Sequence, residues 1–294
     1  MKSLQLFALS FILIKCCLSV DWITENSIKL NASGICTIEA DISCPDEEIM
    51  GRKASKARAW DLPIHIVIVK DFEPEEGKIL REVLNYLSKV TCLTFVEGKT
   101  NGAYLEVERG APQSGCHTPA KSVGMHGNFK HTINLEPSCI SHHTFGHELL
   151  HVLGFLHEQN RPDRDDYVYI FFDNVLPYKR DQYDKAYTVR ESIYDMTAYE
   201  YDECSIMHYS ITAFRLYKFL PTIIPTSYFV NPFMMGPHEA RYLASKYYSF
   251  LGESVTKRAK FAIQRFSYGF SNLDIQKIRD LYCKPNKTNP IVIN

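Results

Sequence analysis

His147-Glu148-Leu149-Leu150-His151-Val152-Leu153-Gly154-Phe155-Leu156-His157 reads H-E-x-x-H-x-x-G-x-x-H, a spacing that can set three imidazoles around one metal ion. At 3.6 residues per turn, His147 and His151 share one face of a helix, one turn apart, and both can reach a single zinc. Glu148 points about 100° away around the helix, poorly placed as a ligand but suited to holding a water beside the metal. A straight helix would carry His157 out of reach. Gly154 removes that obstacle, because glycine enters the left-handed conformation that ends a helix without a Cβ penalty. Three imidazoles leave one position of a tetrahedral zinc open, as a catalytic site needs.

Elements on either side must position these groups. Pro63 to Val69 alternates around β-branched residues and predicts a strand. Glu75 to Val90 carries Ile79, Val83, Leu84 and Leu87 at helical spacing, with acidic residues at its start that suit the macrodipole. Thr94 to Val96, Tyr104 to Val107 and Thr132 to Leu135 read as short strands, and the histidine helix runs from about His142 to Leu153. Ser271 and Asp274 form a capping box for a last helix bearing Ile275, Ile278 and Leu281. Strands and helices before the metal motif, then mostly irregular chain, make the class α+β. His142 and His143, on the entry turn of the histidine helix, are expected at the surface.

The run His157-Glu158-Gln159-Asn160-Arg161-Pro162-Asp163-Arg164-Asp165 resembles the H-E-x-x-R-x-D-R-D continuation of the astacin family of zinc metalloendopeptidases, within the metzincin group. Ser205-Ile206-Met207-His208-Tyr209 is similar to the family's Met-turn, S-x-M-H-Y, and the likeness extends from about Trp60 to Cys283. The resemblance implies two subdomains flanking a zinc cleft. It makes His147, His151 and His157 the ligands of one zinc per chain, and Glu148 the general base that takes a proton from the activated water and passes it to the leaving amine. Tyr209 would hydrogen-bond the oxyanion, Met207 would form an apolar floor beneath the metal, and His208 would be structural. Glu158 would lie buried, ion-paired to the amino terminus freed by activation. Disulfides Cys92–Cys283 and Cys116–Cys139 are likewise implied by the resemblance. Cys36, Cys44 and Cys204 remain, of which Cys36–Cys44 is the expected pair, leaving Cys204 as a free or intermolecular thiol.

Cysteine usage suits an oxidising, extracellular compartment. Lys2, the apolar stretch Leu4 to Ile14 and Cys17-Leu18-Ser19 have the form of a signal peptide over residues 1–19. No later run is long and apolar enough for a membrane anchor. The formal net charge of −1 gives no electrostatic case for nucleic acid. Sequons at Asn31 and Asn286 would suit a glycosylated secreted monomer.

Asp21 to Met50 is acidic, with Lys29 its one basic residue, and reads as a pro-segment over residues 20–51. Ile38-Glu39-Ala40-Asp41-Ile42 is similar to the F-E-G-D-like latch of astacins, which makes Asp41 the candidate zymogen latch, with the Cys44 thiolate as its rival. Gly51-Arg52-Lys53 suits cutting by a trypsin-like activating protease. The protease domain then spans 52–284, and 285–294 form a short tail. Between Pro225 and Gly269 the chain departs from the family: Tyr228 to Phe261 is an insertion, which a flap, a disordered loop or a misread exon would each explain. Arg265 resembles the arginine that draws an acidic side chain into the pocket after the scissile bond. The function expected is a secreted zinc endopeptidase acting on proteins or peptides and made as a zymogen. The alternatives are a catalytically impaired astacin-like binding protein, or a module in which zinc is structural.

Overall fold

The computed structural model describes residues 37–38, 42–43, 57–185, 193–218, 220–226 and 267–283. Asp41, Cys36, Cys44, Asn31, Asn286, Arg265 and the 228–261 insertion lie outside them. Strands β1 (Thr37–Ile38) and β2 (Ile42–Ser43) come first, followed by β3 (Ile64–Ile68) and helix α1 (Pro74–Val90). Then come β4 (Phe95–Glu97), β5 (Tyr104–Arg109), β6 (Thr118–Pro119), β7 (Lys130–Leu135) and α2 (His142–Val152). Beyond α2 only β8 (Val168–Ile170), β9 (Ile223–Pro225) and α3 (Asn272–Tyr282) interrupt a chain of single turns among the described residues. The α+β class holds, with most element ends within two residues of expectation.

A four-stranded sheet in the order β4-β3-β5-β7 has all its pairings parallel. Parallel strands are buried by what packs on them. Ile64, Ile66, Leu105, Ile133 and Leu135 are fully buried, and they join Leu80, Val83 and Leu87 of α1 and Phe145, Leu149 and Leu150 of α2 in one core. The amphipathic period of α1 turns its apolar stripe onto this core. At the sheet edge His117 bridges Asn134 of β7, and β6 is paired in parallel by β2.

α2 begins where the Ser141 hydroxyl accepts the Thr144 amide at 3.0 Å, satisfying one orphan donor of the first turn. Gly146 lets the Phe270 ring lie directly on the helix, since a Cβ there would sit 2.8 Å from Phe270 Cζ. At the other end Trp60 Nε1 donates to Val152 O at 2.8 Å and the Tyr282 hydroxyl to Leu153 O at 2.7 Å. The first and last segments of the domain thereby close the carbonyl end of this helix. Cys92–Cys283 and Cys116–Cys139 are bridged, with Cα separations of 5.5 and 6.2 Å, and Cys204 is in neither bridge.

Candidate metal centre and active site

Gly154 has φ +97°, and its amide donates to His151 O at 2.8 Å while that of Phe155 donates to Leu150 O at 2.9 Å. The chain thus leaves α2 through the left-handed turn that the glycine predicts. His157 comes back with its Nε2 3.1 Å from His147 Nε2. One ligand nitrogen from each of His147, His151 and His157 lies within 4.8 Å of the others, and all three residues are buried. The His147 and His157 rings each lie nearly perpendicular to that of His151, at 89° and 83°, so the three rings close on a common point from different sides.

The donor chemistry fits a zinc ion. His147 Nδ1 is 2.7 Å from Ile206 O and His151 Nδ1 is 2.8 Å from Phe155 O. A ring nitrogen facing a carbonyl must donate, which fixes the proton on Nδ1 and leaves the Nε2 lone pair for a metal. Zinc–nitrogen bonds of about 2.1 Å in a tetrahedron separate two nitrogens by roughly 3.4 Å, close to the observed His147–His157 spacing. Neither carbonyl belongs to the sheet. One comes from the turn after α2 and the other from the turn that carries Met207.

Glu148 is 2% exposed, and its Oε2 accepts from Thr118 Oγ1 at 2.8 Å. Thr118 lies on β6, the edge strand of a separate three-stranded sheet in the order β1-β2-β6, so the carboxylate beside the histidines is tied to that edge. The Tyr209 ring stands 4.7 Å from that of His157 and packs against Tyr183 and Phe214. Its backbone is fixed on both sides: the amide donates to Gln159 Oε1 at 3.0 Å, and its carbonyl accepts from His208 Nδ1 at 2.7 Å. His208 accepts in turn from the Tyr201 hydroxyl at 2.9 Å, and burial pushes its pKa down, keeping the ring neutral. Met207 is 3% exposed in the main core, and its carbonyl accepts the Glu158 amide at 2.9 Å.

A family model described as Astacin, a peptidase family, matches residues 52–239, well over half of the sequence. This chain belongs to the astacin family. Zinc metalloproteinase nas-6 of Caenorhabditis elegans is 38% identical over 143 residues, covering 49% of this chain and 39% of that protein. The low choriolytic enzyme of Oryzias latipes is 34% identical over 148 residues, half of each chain, and human meprin A subunit beta is 35% identical over 185 residues, 62% of this chain and 25% of its own. The chain spans half or less of the length of these relatives. Among solved structures, high choriolytic enzyme 1, a hatching enzyme zinc-protease from Oryzias latipes, matches with a TM-score of 0.56 at 24% identity, over 76% of this chain and 94% of its own. That likeness concerns the fold.

Within the astacin frame, the residue after the third histidine is buried and ion-paired on both sides. Glu158 is 1% exposed, and Oε1 accepts from Arg161 Nη1 at 2.9 Å and the Asp202 amide at 3.0 Å, while Oε2 accepts from Lys277 Nζ at 2.8 Å. The Met-turn is gripped by Asp274, the capping residue of α3, which accepts from Ser205 Oγ at 2.6 Å and from the Ile206 amide at 2.9 Å. Burial pushes the Asp274 carboxyl up to about 6, and neighbouring Asp202 pushes the same way.

Thr118, Gln159, Asp274 in this second role, and Lys277 were not foreseen from the sequence. Helical spacing could have found the last pair: Asp274, Lys277, Ile278 and Leu281 fall on one face of α3, so two charges sit on its apolar side. Nothing near Thr118 marks it, because its partner is 30 residues away. His142 and His143, expected at the surface, are both only partly exposed. His142 is half-buried, bonded to Glu82 at 2.7 Å and packed on Tyr268, and burial pushes His143 down to about 3.

Proposed function

We propose that this astacin is a secreted zinc endopeptidase whose cleft is shut by the amino-terminal segment until that segment is cut away. The reading rests on one observation above all: three buried imidazoles converge, two of them with Nδ1 held by a carbonyl, beside a buried carboxylate that is not one of the ligand set. A zinc ion held there would supply Lewis acidity toward a scissile carbonyl and bring the pKa of an attacking water to about 7. Glu148, oriented by Thr118, takes the proton from that water and returns it to the leaving amine. The Tyr209 hydroxyl, carried on a backbone fixed by Gln159 and His208, donates to the developing oxyanion. Met207 fills the floor below the histidines.

Latency has support in the strand pairing. β2 runs parallel to β6 with Ile42 opposite Thr118, the residue that holds Glu148, and Asp41 is the residue immediately before β2. Asp41 itself lies outside the described residues, and the pairing of Ile42 beside Thr118 is what supports a carboxylate latch there. Replacing Asp41 by alanine in the uncut chain should release activity early. If Cys44→Ala does so instead, the latch is the thiolate.

The deciding assay is cleavage of a protein substrate by the processed chain, with and without a chelator, beside Glu148→Gln. The expected outcome is activity that chelation removes and zinc restores, and a variant that keeps its zinc while losing about 10²–10⁴ in kcat. A processed wild-type chain that is fully zinc-loaded and cleaves nothing would instead favour the binding-protein reading.

A further inference from the structure

We infer that Lys277 is a positioning residue for this site: its ammonium supplies from within the fold the buried positive charge that Glu158 needs, so the third histidine is held without a contribution from the amino terminus that maturation creates. The inference rests on the maturation reading above, in which the segment before residue 52 is removed. In the family pattern, the residue after the third histidine waits for that new terminus. Here its charge is met in the uncut chain.

The geometry is specific to this pair. The Lys277 side chain is 3% exposed, its Nζ lies 2.8 Å from Glu158 Oε2, and the two residues are 119 apart in sequence. A buried lysine is tolerable only when paired, and a buried carboxylate has the same requirement. Arg161 also reaches Glu158, but its guanidinium is shared: Nε and Nη2 hold both oxygens of Asp163 at 2.9 and 2.8 Å. Lys277 makes no second ion pair among the described residues. It faces Asp202 and Asp274 as well, and its charge favours the ionised form of each. Glu158 in turn reaches the site by two routes. It follows His157 directly, and its amide donates to Met207 O. Lys277 thus connects α3 to the third ligand and to the Met-turn at one point, and it does so before any peptide bond is cut.

An amino-terminal ladder tests this. Processed forms starting at Arg52, Lys53 and Ala54 should agree within about twofold in kcat/KM and in zinc affinity measured by chelator competition. Lys277→Met should lower zinc affinity by about tenfold in every form, on the scale known for residues that orient metal ligands, and Lys277→Arg should recover most of it. A tenfold or larger dependence on the starting residue would overturn the inference, as would an unchanged zinc affinity in Lys277→Met. The ladder uses the native sequence, so it decides even if Lys277→Met does not fold. Zinc affinity is read without substrate. A chain that binds zinc independently of its starting residue yet cleaves nothing would therefore sink the peptidase reading and leave this one standing.

Discussion

The described parts of residues 57–152 and of residues 157–283 meet at the three histidines, yet they are fastened differently. In the first stretch Ile64, Ile66, Leu80, Leu87, Leu105, Ile133, Leu135 and Leu149 are at most 1% exposed, and sheet and helices satisfy most of their own backbone. The second stretch lends Ile206, Met207, Phe270, Ile275 and Ile278 to the same main core and has a small apolar cluster of its own around Val168, Ile170, Val175, Tyr183 and Ile223. Many of its other buried side chains are polar. Arg161, fully buried, uses all five of its donors, on Glu158, on both oxygens of Asp163, and on the carbonyls of Tyr199 and Glu200. Arg164 donates to Gln159 O and Tyr183 O. The contrast follows from backbone chemistry: single 3-10 turns leave carbonyls unpaired, and long cationic side chains reach them. Core packing places the helix that carries His147, Glu148 and His151, whereas side-chain hydrogen bonds place the rest: a buried ion cluster on Glu158 beside His157, and the Gln159 amide under Tyr209.

The two modes should fail differently. Glu158→Ala strands Lys277 and part of Arg161 in the interior, and breaking a buried pair in this way costs about 3–5 kcal/mol. The loss should appear both in the denaturation midpoint and in zinc affinity. Leu105→Ala in β5 should cost a comparable 2–5 kcal/mol through its cavity, with zinc affinity of the folded chain unchanged. If both substitutions move stability and zinc affinity together, the division into two modes is wrong. Tyr209→Phe is the narrower probe. It removes one hydroxyl and none of the backbone contacts to Gln159 or His208, so stability should hold while kcat falls about 10²–10³-fold, the loss typical of one oxyanion donor. An unchanged kcat would remove Tyr209 from the mechanism.

The same division governs how much could be read from the sequence. Helical and strand periodicities mark the first stretch because apolar burial has a period, and α1, α2 and the strands stand close to where the pattern places them. The capping box at Ser271 and the left-handed turn at Gly154 were legible because each is a local rule about one or two residues. The second stretch has little period. Pro177–Tyr183 forms successive 3-10 turns with no apolar stripe to announce them. Gln159 under Tyr209, Thr118 under Glu148 and Lys277 under Glu158 are pairings across 50, 30 and 119 residues, and no short window contains both partners. The convergence of His147, His151 and His157 was legible, because setting three imidazoles around one point on a bent helix requires that spacing.

A pH test probes the polar stretch alone. Asp274 has a carboxyl pushed up to about 6, above the ordinary value near 3.9. A raised folded-state pKa means that the native chain binds this proton more tightly than the unfolded chain. The cost of ionising it is absent below about pH 4, grows between 4 and 6, and is complete above 6. The gap between those two values corresponds to roughly 3 kcal/mol, an upper figure because Asp202 titrates with it. Denaturation midpoints compared between wild type and Asp274→Asn should therefore converge as pH rises from 4 to 6, although the variant is the less stable at pH 4 for want of a second acceptor. A gap that is constant with pH would mean that Asp274 is ionised throughout, held so by the Ser205 hydroxyl and the Ile206 and Ser271 amides that donate to it.

The smallest effect belongs to the hinge between the stretches. Gly154 stands at φ +97°, where a side chain is strained by about 1–2 kcal/mol, and a Cβ would also come within 2.7 Å of Ile193 Cγ1. Gly154→Ala leaves every ligand and both packing modes intact. What it alters is the angle at which one stretch hands the chain to the other. The His151 Nδ1 bond to Phe155 O and the return of His157 both depend on that angle. The variant should fold with its stability lower by about 1–2 kcal/mol of backbone strain together with the cost of displacing the Ile193 side chain, yet lose zinc affinity well beyond that share, because a displacement at residue 154 is carried directly to residues 155 and 157. A zinc affinity that falls only in proportion to stability would show that Glu158 and Lys277 seat the third histidine by themselves, with the turn merely permitting it.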